Sequence, residues 1–387
     1  MTEPDALAAE RTRLRLTCRH LAGHGPVHPA EPFEAIAAWL RRNGPQGGGL
    51  QGGDADWQPG VEPDYYGTGP LVEDFEAEVA ALFALPAARF MPSGCMAQPI
   101  ALRIWSERAG NRGIALHPTS HLELHEQHAY RELHGLHAHL LGEAHRPTTC
   151  ADLAALIGPD GAAAGTGLAS LLVELPAREI GGELPAWDDL VALSVLCRTN
   201  GIRLHLDGAR VWQAAPAYGR SLAQIAALFD SVYVSFYKDV GALAGAMLLG
   251  PRDFIDAAAV WQRRQGGTLH SAMGNIVSAR LNLAASLERM APLAERARTI
   301  AALFARHAGV CVTPDPPHTS MFHLTLDGEE AALLAARDRA ARETGIWLFS
   351  ALRPVADGAA WTVEIALGQS SLALGDEELA RAIGMLF

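Results

Sequence analysis

Lys238 is the only lysine in this 387-residue chain; the other 30 of its 31 Lys and Arg residues are arginines. It stands in Ser235-Phe236-Tyr237-Lys238-Asp239-Val240-Gly241, after an apolar strand-like run and before a segment of small residues. A chain that uses arginine everywhere else points to a task at Lys238 that arginine cannot perform. Arginine stays protonated. A lysine amine loses its proton when it is desolvated or set near other charge, and the neutral amine condenses with a carbonyl to give a Schiff base. The ordinary alternative is a leftover surface lysine, for which the end of a buried strand is a poor place.

Three further sites could do chemistry with it. Asp207, in Leu204-His205-Leu206-Asp207-Gly208-Ala209-Arg210, ends another candidate strand. Alone it reads equally as a helix N-cap. Paired with Lys238 it suits a pyridinium, because pyridoxal phosphate acts as an electron sink only while its ring nitrogen keeps a proton, which a nearby Asp secures. Met91-Pro92-Ser93-Gly94-Cys95-Met96-Ala97 runs from a strand through a tight turn into a helix, so backbone N–H groups and the Ser93 hydroxyl could cradle a phosphate. An ordinary strand-to-helix turn would look the same. Last, Ser120-His121 lies in a His-rich stretch in which His117, His121, His125 and His128 fall at near-helical spacing. Two histidines at i, i+4 can share a metal; His121 could instead stack on a cofactor ring while His125 handles protons; or the stretch is a solvated face. The reading adopted has no metal.

The elements that must position these residues suggest an α/β protein. The length allows one large and one smaller domain. A net charge of −12 argues against a nucleic-acid surface, which needs clustered positive charge. Five scattered cysteines without CxxC spacing imply a reduced compartment. Met1 to Leu14 lacks a signal-peptide pattern, and no run reaches the ~18 apolar residues of a membrane span, so the expected location is the cytoplasm. Residues 1–45 read as an arm plus one helix, Glu34 to Arg42, followed by a flexible Gly-rich loop from Gly44 to Gly53. A helix is expected over Leu71 to Leu85. Strands are expected over Ala88 to Met91, Gly113 to Leu116, Ser170 to Leu175, Arg203 to Leu206, Ser231 to Phe236 and Ala244 to Leu249; separated by helices, they predict a mostly parallel sheet. Residues 46–290 then form the large domain. A helical stretch, Asn275 to Ala301, leads into a C-terminal α+β domain, 291–387, with a strand over Met321 to Leu326.

Taken together, these segments resemble the L-threonine aldolase and β-eliminating lyase group of pyridoxal-phosphate enzymes, fold type I, over most of residues 60 to 290. Tyr65-Tyr66-Gly67-Thr68-Gly69-Pro70 resembles the family's Tyr-Gly entry to its first large-domain helix. Pro92-Ser93-Gly94-Cys95-Met96-Ala97 is similar to a Pro-Ser-Gly-Thr-Met-Ala phosphate turn, and Ser120-His121 to the segment holding a ring-stacking histidine. Asp207-Gly208-Ala209-Arg210 matches the Asp-Gly-Ala-Arg motif, and Ser235 to Gly241 resembles Ser-x-x-Lys-Gly-x-Gly. The departures are specific. Cys95 replaces the turn Thr, and Asp239 replaces the Gly after the lysine. Glu174-Leu175-Pro176-Ala177-Arg178-Glu179 stands where many aldolases have Glu-Asn-Thr-His. His270, in Gly266-Gly267-Thr268-Leu269-His270, stands near an Arg that serves a neighbouring subunit's phosphate. No substrate-binding Arg is evident in Trp361 to Ile365, and Arg353 is the substitute.

The resemblance implies a threonine-aldolase-like activity: cleavage or formation of the Cα–Cβ bond of a β-hydroxy-α-amino acid, giving glycine and an aldehyde. Lys238 would carry the cofactor, bound also by Ser93, Gly94, Cys95, His121, Asp207, Arg210 and Ser235. Arg210, with Tyr66 and Arg353, would bind substrate, and His121 or His125 would be the base. A β-eliminating lyase or other Cα chemistry is the alternative, and a non-catalytic binding relative the second. Active sites at a subunit interface are implied, hence a homodimer or homotetramer, with Tyr66 and His270 reaching a neighbouring site.

Overall fold

The computed structural model describes residues 3–44, 60–161, 167–355 and 360–387. The chain divides into two compact units. One comprises Pro29–Leu175 and Pro185–Leu287; the other comprises Met1–His28, Pro176–Leu184 and Glu288–Phe387.

The strands, in chain order, are β1 Arg19–His20, β2 Ala87–Met91, β3 Gly113–Leu116, β4 His137–Leu140, β5 Ser170–Glu174, β6 Arg203–Gly208, β7 Ser231–Ser235, β8 Ala246–Gly250, β9 Val310–Thr313, β10 Met321–Asp327, β11 Ile346–Trp347, β12 Arg353–Pro354 and β13 Ala360–Ala366. In the larger unit seven of them form one sheet in the order β2-β8-β7-β6-β5-β3-β4. β3, β4, β5, β6 and β7 run parallel, and β8 is antiparallel to both β7 and β2. Every strand except β8 therefore points its carboxyl end the same way. β7 and β8 are buried along their whole length, as expected of strands covered on both faces, which read as continuous apolar runs rather than alternating ones. β4 alternates His-Ala-His-Leu and has no fully buried residue; this edge strand was absent from the expected set.

The helix α4 joins β2 to the rest of the sheet. The first four helices are α1 Glu3–Thr17, α2 Glu31–Asn43, α3 Pro70–Leu82 and α4 Gly94–Ala109. α4 starts where Ser93 Oγ accepts from Met96 N–H and ends at Gly110 in the left-handed conformation, φ 63°, as N- and C-caps prefer. Its Ala97, Ile100, Ala101, Ile104 and Trp105 pack with Met91, Tyr233, Leu248 and Phe254 into one core cluster. Trp105 stacks on Phe254 with ring centres 4.6 Å apart. This anchored helix fixes the Ser93–Cys95 turn against the sheet.

In the smaller unit β12-β13-β10-β9 form an antiparallel sheet, with Met321 opposite Ala366 and Asp327 opposite Ala360. β1 pairs with β11, and Leu14, Cys18, Ala341 and Trp347 form a small core. The N-terminal arm thus contains a helix, α1, that sequence reading missed: its apolar residues are sparse and only tertiary contact buries Leu14. α2 is longer than the expected Glu34 to Arg42. The stretch expected as a Gly-rich loop lies, past Gly44, outside the described residues. The expected helix Asn275 to Ala301 is Met273–Phe304. Among the described residues no helix is long and apolar enough to cross a membrane.

At Gly208, the last residue of β6, backbone approaches backbone closely. A Cβ there would sit 2.5 Å from the Tyr233 carbonyl oxygen and 3.1 Å from Val211 Cγ1. Gly208→Ala should therefore destabilise by about 1–3 kcal/mol, read as a lower urea midpoint at unchanged slope. An unaltered midpoint would show that β6 and β7 are less tightly apposed at the site edge than described.

Candidate active site

The parallel topology brings the sequence-predicted residues to one edge. Met91 and Ser235 both lie opposite Ala246; Gly208 lies opposite Val234; Glu174 lies opposite Asp207. The carboxyl ends of β2, β5, β6 and β7 therefore align, and loops at the carboxyl ends of an open α/β sheet form its ligand crevice. Ser93 follows β2 by two residues, Arg210 follows β6 by two and Lys238 follows β7 by three. His121 follows β3 by five and opens a single helical turn, His121–Leu124.

Asp207 is 1% exposed. Its carboxylate accepts from Gln98 Nε2 at 2.9 Å and from the Ala209 N–H at 3.1 Å. Both donors are neutral, and a buried charge requires a charged or strongly polar partner to be stable. His205, two residues back on the same strand, provides none: burial pushes its pKa down to about 4, and its Nδ1 lies 2.8 Å from Ser231 Oγ. A protonated pyridine nitrogen is the kind of partner such a carboxylate suits. Gln98 was not anticipated. Its sequence signal was an amide inside the apolar run Ala97 to Leu102, and its Oε1 is buried without a hydrogen-bond partner.

Lys238 is half-buried. Its pKa is lowered, first by desolvation and then by the Arg210 guanidinium, against the opposing pull of Asp207, Glu174 and Asp239. Its amine is thus neutral at lower pH than a free lysine, the form that attacks a carbonyl. Arg210 caps the helix Val211–Tyr218 and lies 3.9 Å from Asp239 through Nε. Asp239, which departs from the family glycine, accepts from Gln213 Nε2 at 2.8 Å.

At the Ser93–Cys95 turn, Gly94 has no alternative: a Cβ there would collide with the Tyr233 hydroxyl. Desolvation and the Glu126 carboxylate push the Cys95 thiol up to about 11, so the residue that replaces the family Thr is a neutral, weak donor. Glu126 is also the unanticipated partner of His121, whose Nδ1 lies 3.0 Å from Glu126 Oε1, with the carboxylate side chain 1% exposed. The His121 and His125 rings are 5.1 Å apart. The near-helical histidine spacing does not make one face. His117 sits before the turn with Nδ1 2.7 Å from Thr119 Oγ1 and Nε2 3.0 Å from the Glu143 and Arg146 carbonyls, and His128 takes a left-handed conformation, φ 54°.

Tyr66 and His270 share a surface aromatic cluster with Tyr65. The Tyr66 N–H donates to the His270 carbonyl at 2.9 Å, and Asp64 ties the two segments by accepting from Ser271 Oγ and Ala272 N–H, both at 2.8 Å. Arg353 belongs to the smaller unit, where its Nη1 bonds Glu179 Oε2 at 2.7 Å. Arg178 bonds Glu179 at 2.9 Å and Glu364 at 2.8 Å. These two arginines alternate with two glutamates.

A seven-stranded, mostly parallel sheet with a lysine past β7 and a carboxylate ending β6 is the arrangement of fold type I, the fold of pyridoxal-phosphate enzymes. Residues 57–327 match the beta-eliminating lyase family, and the chain belongs to it, within the threonine aldolase and β-eliminating lyase group. A solved structure from Exiguobacterium sp. 255-15, provisionally named an aromatic amino acid beta-eliminating lyase/threonine aldolase, is 38% identical over 97% of this chain and 98% of its own, with a TM-score of 0.86. One from Listeria monocytogenes EGD-E, provisionally named an L-allo-threonine aldolase, is 36% identical over 98% of both chains, also at 0.86. Low-specificity L-threonine aldolase 1 of Arabidopsis thaliana is 24% identical over 71% of this chain and 77% of its own length, while against another Arabidopsis relative the chain spans 59% of that protein.

Asp207→Asn removes the charge and turns one of the two accepting oxygens into a donor, which a flipped Gln98 amide can meet through its Oε1. It should retain cofactor uptake, followed by visible absorbance, and lose activity about a hundredfold or more, the scale of losing one preorganised charge at a reacting group. Full activity would reduce Asp207 to a cap of the Ala209 N–H.

Proposed function

We propose that this chain is a pyridoxal-phosphate-dependent aldolase that cleaves or forms the Cα–Cβ bond of a β-hydroxy-α-amino acid, giving glycine and an aldehyde. The observation that carries the reading is the convergence of Asp207, Arg210 and Lys238 on one sheet edge in a chain of the threonine aldolase group.

The cofactor, when bound, supplies an electron sink for a bond breaking at Cα. The rest falls to the protein. Lys238 would hold the cofactor through Nζ. Asp207, held by Gln98 and the Ala209 N–H, keeps the ring nitrogen protonated. Ser93 Oγ, the N–H groups of Gly94 and Cys95, and Ser235 hold the phosphate at the α4 N-terminus, where the helix dipole favours an anion. Arg210 grips the substrate carboxylate, for which a planar fork is the preferred partner. Arg353 is the weaker candidate for that role, because Glu179 already occupies its Nη1. His121 covers the ring. With Nδ1 turned to Glu126, its Nε2 is the basic nitrogen, so His121, or His125 beside it, takes the β-hydroxyl proton. Tyr66 borders the substrate from its aromatic cluster.

β-Elimination is the second reading, favoured by the lack of any histidine in Leu175 to Glu179. A homodimer or homotetramer, completed by Tyr66 and His270, and a reduced cytoplasmic setting consistent with five free cysteines complete the proposal.

The test is product analysis with a panel of β-hydroxy amino acids, run in both directions. Glycine with an aldehyde is expected, and Lys238→Arg should lower the rate by about a thousandfold or more while leaving the fold intact. Ammonia with a keto acid would install the elimination reading. Cofactor binding without turnover would mark a non-catalytic relative.

A further inference from the structure

Asp239 stands beside the only lysine, where the family it resembles has glycine, and its carboxylate has defined neighbours. Lys238 to Gly241 form a turn closed by the Gly241 N–H donating to the Lys238 carbonyl at 3.0 Å. Asn282 Nδ2 donates to the Gly241 carbonyl at 3.1 Å, and Ser286 Oγ to that of Val240 at 3.3 Å. From this pinned turn Asp239 reaches back to the helix that follows β6. Its Oδ1 accepts from Gln213 Nε2 at 2.8 Å and lies 3.9 Å from Arg210 Nε. The side chains of Arg210 and Asp239 are 13% and 8% exposed, and Gln213 is 1% exposed. A charge pair so placed is screened little by salt, and the amide fixes the direction of the carboxylate.

We propose that Asp239, braced by Gln213, is a positioning residue that aims the Arg210 guanidinium at the substrate carboxylate. The inference rests on the reading of Arg210 given above. Asp239 approaches Nε, on the stem side of the guanidinium, whereas a carboxylate gripped bidentately end-on uses the Nη1–Nη2 edge. A charge 3.9 Å from Nε therefore draws the guanidinium from its stem side rather than along that edge. A glycine at this position could not do so. One turn then sets both substrate anchors: Lys238, where the amine arrives, and through Asp239 the fork that receives the carboxylate. The charged groups facing Lys238 are Arg210, Asp207, Glu174 and Asp239, so Asp239 also offsets the guanidinium it directs.

The test compares glycine with methylamine as ligands of the cofactor-loaded enzyme, each followed by the visible absorbance of the bound cofactor. Both carry the amine; only glycine carries the carboxylate. Asp239→Asn should raise the glycine dissociation constant about tenfold relative to that of methylamine, the scale of weakening one hydrogen bond to a charged group. In an Arg210→Lys background the same substitution should add no further loss, because the two act as one unit. Equal weakening of both ligands, no weakening of either, or a full additional loss on top of Arg210→Lys would overturn the assignment. Should Asp239→Asn fail to fold, Gln213→Met gives the same reading: selective loss of glycine supports the role, and an unchanged glycine-to-methylamine ratio refutes it. A wild-type enzyme that does not respond to amino acids at all would defeat the functional reading itself. A responsive wild type matched by its Asp239→Asn variant would defeat this inference alone.

Discussion

A carboxylate kept from water by a sheet and a helix, with hydrogen bonds among the described residues from one amide and one backbone N–H, favours a cation beside it. Asp207 is in that position, and much of the larger unit is arranged around it. α4 supplies Gln98 from a face otherwise committed to apolar packing, and its first turn carries Ser93 and Gly94 to the same edge. β6 ends in a glycine so that β7 can approach, and β7 leads directly to Lys238. The neighbouring His205 is held neutral by burial. On the reading proposed above, a protonated ring on the open side of the edge would meet the charge of Asp207.

Lys238 faces the complementary problem. Burial and Arg210 favour its neutral amine, while Asp207, Glu174 and Asp239 favour its charged form. The net effect is a lowered pKa, which on the proposed reading makes the Schiff-base amine available beside these acid groups. Arginine at this position would remain charged under any such balance, which is a physical reason for a chain otherwise free of lysine to keep one here.

Much of this was legible in the sequence, for identifiable reasons. β3 and β7 are short continuous apolar runs, and buried parallel strands have that pattern. Asp207, Arg210 and Lys238 stood out because residue type and spacing matched a chemical task. β4 was invisible because His-Ala-His-Leu at a sheet edge carries little apolar signal, and α1 because the core that takes Leu14 draws on Ala341 and Trp347, more than 300 positions away. The same limit hid the supporting residues. Gln98 meets Asp207 across 109 residues of chain, and Gln213 meets Asp239 across 26. Glu126 lies five residues from His121, but the link depends on a chain reversal after Leu124 that the histidine spacing did not suggest. Asp239 could be recognised as a departure, yet its partners could not.

The most direct measurement uses the chain's single lysine. Borohydride reduction of the enzyme loaded with pyridoxal phosphate, followed by peptide mass mapping, should place one pyridoxyl group on Lys238 and abolish activity in step with its incorporation. Incorporation at the terminal amine instead, or full activity after Lys238 is modified, would contradict the account.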